Sequence, residues 1–208
     1  MAAIDVNTVY MTADGEQTKS RLLTEARDLY LEEGFARFSL REVARRAGVS
    51  AAAVYRHYES KEDLLGQVCA AGLQVFYSYL VRCLSEPTPR ARLAGCATLY
   101  RRFGLENPRD YRFVFMGAAE DFAALAPPSG IQEPAPTFQI LVDRVRECTA
   151  AGVLREGSAE ETATVIWAHV HGLVSLRLSG HLGRIGSDAQ FASFYDHATD
   201  QLVEGLAP

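Results

Sequence analysis

Between Ser39 and Tyr58 the chain reads SLREVARRAGVSAAAVYRHY, and this stretch decides the fold. It parses as a short helix, a tight turn at Gly48 and a second short helix starting at Ser50. Two short helices that cross steeply need a small residue where they touch, a glycine in the turn and an apolar plug from the second helix. Ala44, Gly48 and Val54 stand at those places, and Val43, Ala47 and Val49 complete an apolar underside. Ala51, Ala52, Tyr55 and Arg56 are left facing outward. A face that begins with small side chains and ends with aromatic and basic ones suits a helix that must approach base edges closely before longer side chains reach phosphate.

Working outward, the chain carries repeated helix starts of the capping-box kind, a serine or asparagine followed three residues later by an acid or amide. Ser39 with Glu42, Ser60 with Asp63, Asn107 with Asp110, Ser158 with Glu161 and Ser187 with Gln190 all fit. The spacing predicts a first helix from about Gln17 to Glu33, with Leu22, Leu23, Ala26, Leu29 and Tyr30 on one face. Gly34 then ends it in the left-handed region, and Phe35 folds back onto the last turn. A long helix from about Lys61 to Leu84 carries Leu65, Val68, Gly72, Phe76, Tyr79 and Cys83 on one stripe, and Pro87 and Pro89 stop it. Further helices are expected over about Ala91 to Leu105, from Asn107-Pro108 to near Met116, and over Thr137 to Ala151, Ala159 to Ser179 and Asp188 to Leu206. The proline-rich segment Ala126 to Pro136 reads as a mobile loop. Strand signals are almost absent, so the expected fold class is all-α.

Composition bounds the function. A chain of 208 residues that is 48% hydrophobic can build a real core, which argues against disorder. The net charge of -5 argues superficially against nucleic acid, yet Glu16 to Gly66 holds nine basic and nine acidic residues, so the whole deficit lies outside that segment. Cys69, Cys83, Cys96 and Cys148 form no C-x-x-C pair and have no histidine at ligand spacing, so they read as buried structural thiols in a reducing cytosol. No cofactor and no metal are expected. Met1 to Gly15 lacks the basic start and apolar core of a signal peptide, and Val165 to Leu178 is too short and too polar to span a bilayer, so a cytoplasmic protein with no membrane partner is expected. An enzyme is disfavoured because there is no G-x-S-x-G, no H-E-x-x-H and no phosphate-cradling glycine loop, and no catalytic residue is assigned. A helical protein-interaction module is the other alternative, against which stands the outward cluster Arg41, Tyr55, Arg56, His57 and Lys61.

The stretch from Lys19 to Leu65, above all EGFARFSLREVARRAGVSAAAVYRHYESKEDLL, resembles the DNA-binding domain of the TetR family of transcriptional regulators. The family pattern closes on an aromatic, a variable residue, a histidine, an aromatic and then a lysine, here Tyr55, Arg56, His57, Tyr58 and Lys61. The resemblance implies that Ser39 and Arg41 open the first short helix against DNA, that Ala51 and Ala53, behind Ser50, sit against base edges, and that Tyr55, His57 and Lys61 touch phosphates. Tyr58 stands where phenylalanine is more usual and is expected inside. The resemblance further implies a flexible arm over 1–15, a three-helix DNA-binding domain over 16–60 and a helical ligand-sensing and dimerisation domain over 61–208. The partners it implies are a double-stranded DNA operator, a small-molecule effector and a second copy of the chain, with repression the commoner mode. Ile166 to Leu182, IWAHVHGLVSLRLSGHL, resembles a subgroup marked by a tryptophan and a His-Gly pair.

On a helical projection of Ala163 to His181, Trp167, His171, Val174 and Leu178 share one face, while Val165, His169, Gly172 and Leu176 share the opposite one. A helix apolar on opposed faces must be buried twice, once in its own domain and once against a partner. The last helix offers Phe191, Phe194, Tyr195, Ala198, Leu202 and Leu206 as a matching stripe, which with His169, Gly172 and Leu176 makes a candidate two-fold interface. Aromatic residues gather in the middle helices, and Phe76, Tyr79, Tyr100, Phe103, Phe113, Met116, Phe138, Trp167 and His171 are the candidate lining of a site for a small apolar or aromatic effector.

Overall fold

The computed structural model describes residues 6–117 and 136–208, with side chains from Gly15 onward in the first segment. Among the described residues every regular element is helical: α1 (Val6–Arg37), α2 (Leu40–Arg46), α3 (Ala51–Tyr55), α4 (Lys61–Leu80) with a 3-10 turn Val81–Ser85, α5 (Pro89–Glu106), α6 (Pro108–Met116), α7 (Pro136–Ala150), α8 (Ala159–Leu178) and α9 (Asp188–Gly205). The all-α class is the class found.

Serines start these helices as their spacing predicts. The Glu42, Asp63 and Glu161 amides donate to Ser39, Ser60 and Ser158 Oγ at 3.3, 3.1 and 3.2 Å. Ser187 and Gln190 satisfy each other's amides in a complete capping box, at 3.3 and 2.8 Å. Asn107 behaves differently. It ends α5 as well as preceding α6, and its side-chain amide is spent on Tyr79 Oη and the Phe103 carbonyl at 3.1 and 3.4 Å. Pro89 does not stop the preceding helix but occupies the first turn of α5, where its missing N–H costs nothing, while Thr88 Oγ1 accepts from the Ala91 amide at 3.2 Å.

Two expectations about the ends of segments change. Helix α1 begins at Val6, well before Gln17, so most of the expected arm is helical, and residues 1–5 lie outside the described residues. The loop expected over 126–136 also lies outside them except for Pro136, which opens α7.

The described residues divide into two compact units, one of residues through 72 with 112–117, the other of 73–111 and 136–208. The division falls inside α4, not at the 60/61 boundary expected from the sequence. The first unit is cored by Leu22, Ala26, Leu29 and Tyr30 of α1, Val43 and Ala44 of α2, Val54 of α3 and Leu64, Leu65 and Val68 of α4. The second packs α5 against α7, α8 and α9 around Leu93, Val142, Val145, Cys148, Ala163, Ile166 and Val203. By length and composition alone, residues 61–85 could cross a membrane, more so than the window at Val165. Its apolar stripe, Leu64, Leu65, Val68, Phe76, Leu80 and Cys83, is instead buried within the fold.

Candidate nucleic-acid interface

In the first unit the turn between α2 and α3 is built as its sequence demands. Ala47 ends α2, Gly48 takes φ 68°, and the amides of Gly48 and Val49 return to the Arg45 and Ala44 carbonyls at 3.3 and 3.0 Å. That pair of bonds closes the orphan carbonyls of α2, and only a residue without a Cβ accepts the required φ cheaply. Ser50 then caps α3, its Oγ accepting from the Ala53 amide at 3.2 Å. Val54 is completely buried as the plug, which fixes the opposite side of α3 outward.

The outward side carries much of the expected set. Arg41, Ala52, Tyr55, Arg56 and His57 are exposed, Tyr55 at 54%. Ala51 and Ala53 are half-buried, and Ala51 packs against the core as well as facing the groove side. Ser39 and Ser50 are exposed, yet their hydroxyls are engaged as caps. Tyr58 is inside, at 2% exposure, and its phenol is pushed above its usual value by burial first and by Asp63 second.

Lys61, expected at a phosphate, is half-buried and its ammonium has partners within the protein. Its Nζ donates to the Phe35 carbonyl at 3.2 Å and lies 3.8 Å from the centre of the Phe35 ring. Gly34 at φ 72°, ψ 171° kinks α1 just before this point, and the Phe35 carbonyl accepts from the Phe38 amide at 3.3 Å as well as from Lys61.

Residues not singled out by the sequence set the charge of this surface. Glu42 accepts from Arg45 Nε and Nη2 at 2.8 and 2.6 Å and from Arg46 Nε at 3.2 Å, while Arg46 Nη1 reaches Glu32 at 2.7 Å. These hydrogen bonds hold the Glu42 carboxyl down to about 2, Arg45 contributing most. Two of the guanidiniums next to the turn are therefore ion-paired to carboxylates of the same chain, with the Arg45 side chain 71% exposed. The i,i+3 and i,i+4 spacing of Glu42 with Arg45 and Arg46 was a visible signal for it. Among the described residues Arg41 and Arg56 take part in no such pair.

The second unit holds most of the expected sensing residues. Phe76, Tyr100 and Phe103 are buried, with ring centres 5.0 to 5.4 Å from Phe76 to the other two. Tyr111 joins them fully buried: its Oη lies 2.8 Å from His171 Nδ1 and 3.2 Å from Tyr100 Oη, and Tyr100 Oη lies 3.1 Å from the same imidazole nitrogen. The Tyr111 hydroxyl also lies 3.3 Å from the His171 carbonyl, as its donor. Burial holds His171 below its usual value and in the neutral form, and pushes Tyr100 up to about 12. Trp167, 37% exposed, has its ring 6.0 Å from His171 on one side and 6.0 Å from Phe138 on the other. Tyr79 is tied to Glu106, its Oη donating at 2.6 Å.

Several expected residues have other surroundings, and the pairing stripe needs correcting. Phe113 packs edge-on against Tyr30 at 4.9 Å in the core of the first unit, and Met116, 40% exposed, also belongs to that unit. Val174, on the face of α8 that also carries Trp167 and His171, is fully buried within its own unit. Phe191 and Tyr195, assigned to the pairing stripe, are fully buried within their own unit, where Tyr195 Oη donates to the Ala97 carbonyl at 2.8 Å. Of that stripe Phe194 is exposed at 40%, Ala198 and Leu202 are half-buried, and on α8 Leu176 is exposed at 42% with His169 and Gly172 half-buried.

Known proteins supply the name for this arrangement. Residues 22–68 match the family of bacterial regulatory proteins called the tetR family, and residues 93–202 match the tetracyclin repressor-like C-terminal domain. An uncharacterized HTH-type transcriptional regulator of Mycobacterium tuberculosis is 32% identical over 105 residues, 50% of this chain and 54% of the relative, so the chain spans about half the length of that relative. The regulator YvkB of Bacillus subtilis, also uncharacterized, is 25% identical over 91% of this chain and 97% of its own. A TetR family transcription regulator from Marinobacter aquaeolei shares the fold with a TM-score of 0.73 at 23% identity, over 95% of this chain and 98% of its own. The narrower Trp and His-Gly subgroup stays a resemblance carried by Trp167, His171 and Gly172. With a capped helix-turn-helix and a helical C-terminal part both matched, the chain belongs to the TetR family of transcriptional regulators, which are not enzymes.

Proposed function

We propose that the protein is a cytoplasmic, homodimeric repressor that leaves its operator when a small apolar or aromatic effector binds in the second unit. The observation that carries the effector reading is the Tyr100, Tyr111 and His171 cluster. Three polar groups are bonded to one another inside an aromatic wall, and Trp167 stands half-open beside them. Such a wall takes a flat or greasy molecule by its apolar area, while Tyr100 and His171 offer one directed polar contact. Phe138 and Trp167 form the accessible part of the lining, and Phe76 and Phe103 support it from the core.

The operator is read by Arg41, Ala51, Ala52, Tyr55, Arg56 and His57 of each subunit. The alanines supply no base-specific hydrogen bond, so thymine methyl contact, the two free guanidiniums and DNA shape carry sequence preference. Pairing uses the exposed apolar residues Val165, Leu176 and Phe194 together with Gly172 of α8: a Cβ added there meets nothing within 4 Å, so a second backbone can come close. A dimer must hold its two α3 helices about 34 to 36 Å apart to enter successive major grooves. An effector weakens DNA binding only as far as it prefers the arrangement that misses this spacing.

Fluorescence tests the reading directly, because Trp167 is the only tryptophan. Effectors found by thermal-shift screening of metabolite and drug libraries are titrated while Trp167 emission and operator anisotropy are followed together. The expected result is an emission change that saturates at the concentration releasing the DNA. An effector that lowers operator affinity tenfold, about 1.4 kcal/mol of coupling, with no change in emission overturns the assignment of the site to Trp167.

A further inference from the structure

Two of the four cysteines are not isolated structural thiols. Cys83, in the 3-10 turn after α4, and Cys96, in α5, have their sulfurs 2.9 Å apart, and both are buried, at 1% and 4% exposure. Their segments are held together by more than the thiols. A Cβ added at Gly95 would lie 3.3 Å from Cys83 Cβ and 3.6 Å from Cys83 Cα, so α5 presses its bare backbone against the turn. The turn's exit is fastened as well: the Glu86 amide donates to the Cys83 carbonyl at 3.1 Å, and Arg92 Nη1 donates to the Glu86 carbonyl at 2.8 Å.

A buried cation completes the surroundings. Arg144 of α7 is 8% exposed and bonded to Glu147 at 3.1 and 2.6 Å, and Glu147 also accepts from Arg92 at 2.9 Å. The two thiols respond in opposite directions. Cys83 is held below its usual value by the hydrogen bond from Cys96 first, with the charge and a hydrogen bond of Arg144 acting the same way. Cys96 is raised, by that same hydrogen bond first and by burial second. Cys69 and Cys148, with burial as the leading cause, are raised and stay protonated. One sulfur of the pair is thus prepared to attack while its neighbour keeps a proton to give.

We propose that Cys83 and Cys96 are a dithiol oxidised by hydroperoxides, with Cys83 the attacking sulfur, Cys96 the resolving sulfur and an intramolecular disulfide the product. Cys83 sulfur attacks one peroxide oxygen, the O–O bond breaks, and the leaving hydroxide takes up a proton to depart as water (or as an alcohol from an organic peroxide), leaving a sulfenic acid. Cys96 then attacks the sulfenic sulfur, its S–H proton goes to the departing hydroxyl, and a second water leaves. Two electrons pass from the two sulfurs to the peroxide, which is reduced. Bond formation at about 2.05 Å requires the sulfurs to close by roughly 0.9 Å from their present separation. The proposal does not depend on the effector site, whose residues it does not use.

The test uses the full chain treated with hydrogen peroxide, quenched, unfolded, alkylated and mapped by mass spectrometry. The expected result is a chain lighter by about 2 Da with two of its four thiols alkylatable, and a cross-linked peptide pair joining Cys83 to Cys96. In Cys96→Ser, peroxide with dimedone should leave the adduct on Cys83. Arg144→Met should slow disulfide formation at least tenfold, and mapping of the wild-type chain decides the proposal even where that variant folds poorly. Four alkylatable thiols after oxidation overturn the proposal. So does first modification at Cys69, the more exposed cysteine, or a dimedone adduct on any residue other than Cys83.

Discussion

The hydroxyl of Tyr58 is buried with no hydrogen-bond partner among the described residues, at a position whose ring alone fills the core beside Val54 and Leu65. Burying an unpaired hydroxyl costs about 1–3 kcal/mol. Tyr58→Phe is therefore expected to raise the urea-unfolding free energy by about 1 kcal/mol and to leave operator affinity unchanged, which denaturation and anisotropy measure separately. Lys61 is the opposite case, a residue whose polar group is partnered within the fold. Lys61→Met removes a charged donor from the Phe35 carbonyl and a cation from the Phe35 ring, and should lower stability by about 2 kcal/mol. Arg41→Ala, by contrast, should weaken operator binding with the unfolding midpoint unmoved, since Arg41 is exposed in the first turn of α2. A Lys61→Met protein as stable as the wild type would return Lys61 to the role of a free phosphate contact.

Among the elements, α5 shows how a single absent side chain sets a helix crossing. A Cβ at Gly104 would come within 2.5 Å of Val174 Cγ1 and 3.1 Å of Tyr111, so α5 and α8 approach at that point only because the glycine is bare. Gly104→Ala should destabilise by about 1–3 kcal/mol through overpacking and loosen the Tyr111 and His171 contact, read by thermal melting and by the His171 ring signals in NMR. No periodicity in the sequence announces this, because a glycine at a helix crossing looks like any other tolerated glycine. Helix starts were legible because a cap is a contact between residues three apart, as at Ser39 and Ser187. The α2–α3 turn was legible for the same reason. The pairing stripe of α9 was only half legible: one periodic run held both the inward Phe191 and Tyr195 and the outward Phe194, and hydrophobicity alone does not say which side is solvent. Contacts distant in sequence, Lys61 with Phe35 or Cys83 with Cys96, left no trace in spacing at all.

At the scale of the whole molecule, the exposed apolar residues Val165, Leu176 and Phe194 call for a partner surface. Phe194→Glu and Leu176→Glu should each yield monomers by light scattering at micromolar concentration, because an interface would bury the new carboxylate unpaired. A stable Phe194→Glu, Leu176→Glu dimer would move the interface elsewhere. Stability should also depend on pH through His169 and His171, both lowered from the usual 6.5 by burial. The unfolded chain takes up these protons near pH 6.5 while the fold resists them, so stability is full above that value and falls as pH drops through the lowered folded values. Thermal midpoints measured from pH 7.5 to 5 should fall, and His169→Gln with His171→Gln should flatten the curve.

The internal pairing of Arg45 and Arg46 with Glu42 and Glu32 fixes how the regulator responds to the ionic medium. Each phosphate met by a free cation releases condensed counterions, and each contributes about -0.9 to the slope of log affinity against log salt on duplex DNA. With Arg45 and Arg46 paired to Glu42 and Glu32 and Lys61 to Phe35, the recognition segment brings Arg41 and Arg56 from each subunit of the proposed dimer. A dimer then releases roughly four ions' worth of atmosphere, and its slope should lie near about -4. At that slope a twofold rise in salt weakens binding about 16-fold, against about 130-fold at a slope of about -7, so operator occupancy depends less on osmotic state than it would with Arg41, Arg45, Arg46 and Arg56 all engaged. A measured slope near -7 would show that Arg45 and Arg46 abandon their carboxylates for phosphate when DNA arrives.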